Sequence, residues 1–503
     1  MNRRQFLQTF GLATTAALQT SNIHRALASL PPGAFAPAKL IDRDPIAHVI
    51  SRLTFGVTPD LYQHVQTIGS QAFIEEQLAF ETLADPDITT HLNPYADVLG
   101  KNAGVLLKES EGMAQVAGQA LLGGTTVRAM YSQRQLYERM VHFFSDHFSI
   151  YVSSAPLTFM KVDDDRDVAR AYAMGTFRAI LGASAHSPAM LDYLDNATSA
   201  KDAPNENYAR ELMELHTLSV DGGYTETDVK EVARCFTGWS MTRPRDSNDG
   251  LLQYLYRPRL HDDGTKTVLG TTIPAGGGEL DGEQVLDLLA SHPSTAVFIS
   301  YKLVRRFVSD FPSDTLVQAC ADVFMQTGGD IRAVLRTIFN SEDFWNAPPK
   351  FKQPYEYTIS LLRAFDTIIL DSNRFLRNMR NSLDGMGQIP FHWPAPNGFP
   401  DVQGAWADNL LPRWNIATAI VGNQLRGTQT NTEPFLKLLE SRGVTVDPEA
   451  VFAFLAQYLL GRPLTADENG ILMDFVNSVA NTPESQIMNG IGLLLASPAF
   501  QYR

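Results

Sequence analysis

At 503 residues, 44% hydrophobic and 19% charged, the chain can bury a large core, and its length fits about two to four domain-sized units or one large helical body. The net charge of -14 comes from acids spread along the sequence, which excludes a general nucleic-acid binder, because that work needs clustered Lys and Arg. Two cysteines, Cys235 and Cys320, without CxxC or metal-finger spacing, exclude a disulfide scaffold and a structural zinc finger and read as buried thiols.

Asn2-Arg3-Arg4-Gln5-Phe6-Leu7, the weakly apolar run Phe10 to Leu18 and the small-x-small site Ala26-Leu27-Ala28 resemble a twin-arginine export signal over residues 1–28. Such substrates generally cross the membrane folded, often with a cofactor already loaded. No later apolar run approaches the roughly 20 residues of a membrane span, so the expected location is the periplasm or the exterior. Residues 29–44, rich in Pro and Ala, read as a linker or an arm laid on the body.

From residue 45 to 503 the pattern is mainly helical, with a possible subdivision near 280. Pro45 to Leu53, Pro59 to Gln66 and Ser70 to Ala79 carry apolar residues at three-and-four spacing. Between Asp85 and Gly124 the pattern weakens, and Gly123-Gly124 reads as a turn or hinge. Val127 to Tyr151 reads as one long helix. The acidic run Asp163 to Asp167 suits capping of a helix over Val168 to Leu181 better than a cation site. Gln253 to Arg257 and Thr267 to Leu269 are expected to form one small hairpin. Residues 385–406 hold four prolines, four glycines and two tryptophans, so they form a long irregular loop, and its aromatics imply that it is pinned onto the body. The expected fold is thus a large multi-helical body with one hairpin and long loops.

Polar chemistry concentrates in PNENYARELMELHTLSVDGGYTETDVKEVARCFTGWS, residues 204–240. Asn205 caps a helix on which Asn207, Arg210, Glu211 and Glu214 share one face at about 100° per residue. His216 falls nearly opposite Glu214, so the segment ELMELH does not place two metal ligands on one helical face. Thr225 and Asp228 form a capping box for a second helix, Glu226 to Phe236. A purely structural reading has Arg210 and Arg234 neutralising Glu211, Glu214 and Glu231. On the earlier long helix, His147 faces the apolar side while Glu138, His142 and Ser145 or Asp146 share the other; His147 and His216 could meet in one enclosed pocket, as bases or as ligands of a divalent metal.

These residues carry a family resemblance. HVISRLTFG (His48 to Gly56), His147-Phe148, PAMLDYLDN (Pro188 to Asn196), the 204–239 stretch, His261-Asp262 to Lys266, Leu269-Gly270 and the loop around Trp393 and Trp406 make the chain similar to the bacterial domain of unknown function 1800 family. Relatives more usually carry Trp, His and Asn before the matching histidine, where this chain has Phe143 to Asp146, which favours His147 over His142 and Asp146 as a functional group. The resemblance implies export and, as a partner, an exported protein of the alkaline-phosphatase-like class (domain of unknown function 1501).

The resulting expectation is an exported hydrolase acting on a cell-envelope or extracellular polymer, with Glu211 or Glu214 as acid or base, His147 and His216 as base or ligands, and Arg210 and Asn207 steadying charge. The rival is a non-catalytic helical binding or assembly factor, supported by the absence of a nucleophile elbow, HExxH or phosphate loop.

Overall fold

The computed structural model describes residues 19–37, 43–109, 113–243, 246, 250–445 and 447–503. Arg3 and Arg4 lie outside them. The chain is mainly α-helical, and one continuous apolar core runs from Ile23 to Phe500. No described helix is long and apolar enough to cross a membrane. Helix starts follow local chemistry: Thr58, Thr176, Ser313 and Asp330 each accept a backbone N–H of the first turn, and Thr225 with Asp228 closes the expected capping box. The first described helix, Thr20–Ala28, buries Ile23 and Leu27, and the arm behind it buries Phe35 and is gripped by Arg462, which donates to Ala36 O.

Several local expectations are corrected. Among the described residues the β structure is three two-stranded antiparallel ladders, not one hairpin. Trp239–Met241 pairs with Tyr254–Tyr256, Lys266–Val268 with Thr271–Ile273, and Ile368–Ile369 with Thr428–Gln429. The two segments expected to pair with each other therefore belong to different ladders. Gly123-Gly124 is no hinge. Both glycines lie inside the helix Met113–Tyr131, where a Cβ on Gly123 would stand 2.5 Å from the Tyr95 ring of the helix Ile88–Leu99. Small residues let these two helices touch.

The long helix expected over Val127 to Tyr151 is two, Met113–Tyr131 and Gln135–His147, interrupted where Asp85 accepts from Ser132 Oγ and Gln133 N. The acidic run continues the helix Ala155–Asp164 into a π-turn, Asp165–Arg170, and does not cap a helix at Val168. Its acids are consumed by partners: Asp163 holds Ala103 N and Arg166, Asp164 pairs with Lys161, and Asp165 with Arg170.

Three helices position the site. Gln135–His147, Pro293–Phe307 and Pro354–Ala364 are tied together at their buried faces by Glu356, which receives Arg139 at 3.1 Å, Arg306 at 2.8 Å and, from the end of the chain, Arg503 at 3.2 Å. Over them lies the 385–406 loop, where Phe351, Phe399 and Trp406 form a small separate apolar cluster.

Candidate functional site

The central hairpin begins as expected, with the Asn205 side chain accepting from Asn207 N at 2.7 Å. After Glu211 the helix widens into a π-turn, Leu212–Thr217, closed by Leu218 N donating to Met213 O. Glu214 remains half-exposed while His216 is buried, so the two do point apart.

Of the expected ion pairs, that of Arg234 with Glu231 forms and those to Glu211 and Glu214 do not. Arg210 forks onto Glu226 at 2.7 and 2.8 Å and reaches Glu206 at 3.5 Å. Arg234 takes Glu231 and Asp262. Glu211 and Glu214 have no ion pair among the described residues; burial, then the neighbouring Glu214, raises the Glu211 carboxyl above its ordinary range. Glu214 accepts from the Tyr224 hydroxyl at 3.5 Å, and exposed Asn207 reaches only Leu194 O, at 3.4 Å.

The inner face behaves differently. His147 Nε2–H donates to His216 O at 3.1 Å, the two rings lie 6.1 Å apart, and Lys302 Nζ donates to His147 Nδ1 at 2.7 Å. An ammonium can only donate, so the His147 proton resides on Nε2. Burial, then the Lys302 charge, holds His147 well below its ordinary value, and the same two causes push His216 down to about 3. Both imidazoles are neutral. His216 Nε2 is buried without a hydrogen-bond partner. Among the described residues no group of three or more His, Cys, Asp or Glu is placed to hold a metal ion.

Lys302 and His147 open onto a cavity of about 760 Å³ whose lining includes His142, Asp146, Arg305, Trp393 and Asp401. The irregular loop forms its outer wall and is pinned as its aromatics imply. Phe399 N donates to Asp146 Oδ1 at 2.9 Å, Trp406 Nε1 to Pro400 O at 2.8 Å, and Tyr193 OH to Pro394 O at 2.9 Å. Gly398, at φ +71°, is required there, since a Cβ would stand 2.2 Å from Asp146 O.

Electrostatically the cavity brings two opposite groups toward neutrality. Burial raises the Asp146 carboxyl, partly offset by Phe399 N–H and Lys302. Burial lowers the Lys302 ammonium, partly offset by Asp146. Each is therefore poised to exchange a proton near pH 7. Arg305 stacks on Tyr301 and donates to its hydroxyl, with no carboxylate partner among the described residues. His142, stacked on Tyr355, is held down to about 3, mainly by burial.

Of the residues singled out in the sequence, His147 lines this cavity and His216 backs it. Glu211, Glu214, Arg210 and Asn207 lie outside it. Lys302 and Arg305 escaped notice, although Lys302, Arg305 and Arg306 sit three and four residues apart on an otherwise apolar helix, which places three cations on one face. His142 and Asp146 were set aside because they depart from the relatives' pattern, yet both line the cavity. No curated protein and no solved structure matches the chain. Residues 48–502 match the family described as "Protein of unknown function (DUF1800)", and the chain belongs to that family.

Proposed function

We propose that the protein is an exported hydrolase acting on a cell-envelope or extracellular polymer, with its chemistry in the cavity between Asp146 and Lys302 instead of on the outer face of the central hairpin. The observation that carries this reading is the pairing of a raised carboxyl with a lowered ammonium in one cavity beneath a tryptophan-bearing loop. In this scheme Asp146 takes a proton from the attacking water and Lys302 delivers one to the leaving oxygen or nitrogen. Arg305 offsets negative charge that develops on the scissile group. His147 is a positioning residue: its Nδ1 aims the Lys302 ammonium. Export is supported by Arg3-Arg4 and the Ala26-Leu27-Ala28 site, and an exported partner of the alkaline-phosphatase-like class belongs to the same proposal.

The test is release of soluble fragments from purified peptidoglycan, extracellular polysaccharide and polyester particles by the full chain. Asp146→Asn and Lys302→Met should each lower release about 100-fold or more, the usual scale of general acid–base catalysis, with circular dichroism unchanged. Glu211→Gln and Glu214→Gln should retain most of it. The wild-type rate should be bell-shaped in pH, with its acid limb above the ordinary carboxylate range and its alkaline limb below that of lysine. Loss in the hairpin variants with Asp146→Asn active would move the chemistry to the hairpin.

A further inference from the structure

On the other side of the Glu356 cluster lies a second cavity, of about 780 Å³. Arg139 and Glu356 line it, whereas Arg306 lines the first. Its charges do not balance. Arg43, Arg139, Lys352 and Arg503 are cationic, and among the described residues Glu356 is the lone side-chain carboxylate of the lining. That carboxylate is already shared among Arg139, Arg306 and Arg503. Buried His48 adds nothing, because burial and the nearby Arg52 and Arg43 hold it neutral.

Lys352 is the plainest case. Its ammonium donates to Ser360 Oγ at 3.2 Å and sits 3.6 Å from the centre of the Phe500 ring, and no carboxylate pairs with it among the described residues. Arg503 Nη1 and Arg139 Nε, both on lining residues, are buried without a hydrogen-bond partner among the described residues. A buried cation without a counter-charge costs several kcal/mol or gives up its proton, so an entering anion would stabilise such a set. The rim, formed by half-exposed Pro37, Ser51 and Leu460, leaves a way in.

We propose that this second cavity is a binding site for a phosphoryl group, held by Lys352, Arg139 and Arg503 with the Ser360 hydroxyl. Lys352 has no carboxylate partner among the described residues, and Arg139 and Arg503 share the single charge of Glu356 with Arg306, so the set is short of negative charge; a phosphate monoester carries about 1.5 to 2 at pH 7 where a carboxylate carries one. The N–H groups left over, Arg139 Nε and Arg503 Nη1, together with the Lys352 ammonium held by Ser360 Oγ, are donors of the kind a tetrahedral oxyanion accepts from. Ala47, Phe55, Leu460 and Phe500 add apolar lining beside these donors. Burial, partly offset by the Glu356 charge and reinforced by Arg413 and Arg503, pushes the Lys352 ammonium down to about 7. The proposal is independent of the Asp146–Lys302 reading.

The test is calorimetric titration and thermal melting of the full chain with inorganic phosphate, phenyl phosphate and benzoate, against sodium chloride at matched ionic strength. Phosphate and phenyl phosphate should bind and raise the melting temperature; benzoate should bind at least about tenfold more weakly and chloride should have no effect. Phenyl phosphate tighter than phosphate points to an organic phosphate as the source, and equal affinity to the free ion. Lys352→Met should fold, melt no lower than wild type, and lose at least about tenfold in phosphate affinity; Lys352→Arg should keep it, and Ser360→Ala should weaken it moderately. Unchanged phosphate affinity in Lys352→Met, benzoate binding as tightly as phenyl phosphate, or no binding of either phosphate would overturn the proposal.

Discussion

His147 shows how much a single residue's sequence context reveals. Apolar neighbours at helical spacing place it inward, and it is buried, because the 3.6 period is a local property of the helix. Its partner Lys302 lies 155 positions away and is brought to it by tertiary packing, which periodicity cannot see. Asp146 carries a testable consequence of the same burial. Its folded-state pKa is raised above the ordinary 3.8, so ionising it disfavours the folded chain: the associated stability is fully present below the unfolded value and is lost as pH rises through the raised one. Asparagine keeps the acceptor for Phe399 N–H and removes that loss. Asp146→Asn should therefore melt higher than wild type at pH 7.5, by a stability difference on the order of 1–2 kcal/mol, and should lose this advantage at pH 3.5. Thermal melts at the two pH values decide it; an advantage that does not depend on pH would mean that the carboxylate is not the cause.

At the scale of elements, the caps were legible. Asn205, Thr225 and Asp228 act within three residues of themselves, and the structure places all three as their chemistry dictates. Interruptions and widenings were not. The break at Ser132 depends on a group elsewhere, the Asp85 carboxylate, and the π-turn over Leu212–Thr217 is a local widening that a 3.6-residue period does not register. Gly123-Gly124 was misread because a glycine pair serves equally as a turn or as a contact between helices, and the sequence does not contain the Tyr95 ring that decides the matter. Gly123→Ala separates the two readings. Helix propensity alone predicts a gain of about 1 kcal/mol, whereas overpacking typically costs about 1–3 kcal/mol. With the new methyl 2.5 Å from a ring buried between two helices, overpacking should win, and urea denaturation should show net destabilisation. A stabilised variant would show that Tyr95 shifts freely.

For the whole molecule, the mainly helical class follows from periodicity and survives, while the joinery does not show in the sequence. Glu356 draws together arginines at 139, 306 and 503, so one carboxylate fastens two helices and the end of the chain to its own helix. Those guanidiniums hold it well below the usual carboxylate range against the opposing effect of burial. The folded-state pKa is depressed, so its contribution is present above the ordinary value of 4.5 and is lost as pH falls below that toward the depressed one. Glu356→Gln keeps the shape but leaves three buried guanidiniums without their shared anion. Breaking a buried ion cluster from one side costs about 3–5 kcal/mol, a large fraction of the roughly 5–15 kcal/mol by which a typical protein is stable. The variant should melt far lower than wild type at pH 7, and the gap should narrow on acidification below pH 4, where unfolded wild type takes up a proton at Glu356 that the folded chain does not. Because the cluster forms the wall between both cavities, the loss should appear as one cooperative transition in far-ultraviolet circular dichroism and tryptophan fluorescence alike. Two separated transitions would mean instead that the regions flanking Glu356 fold independently, and that the cluster joins units already stable by themselves.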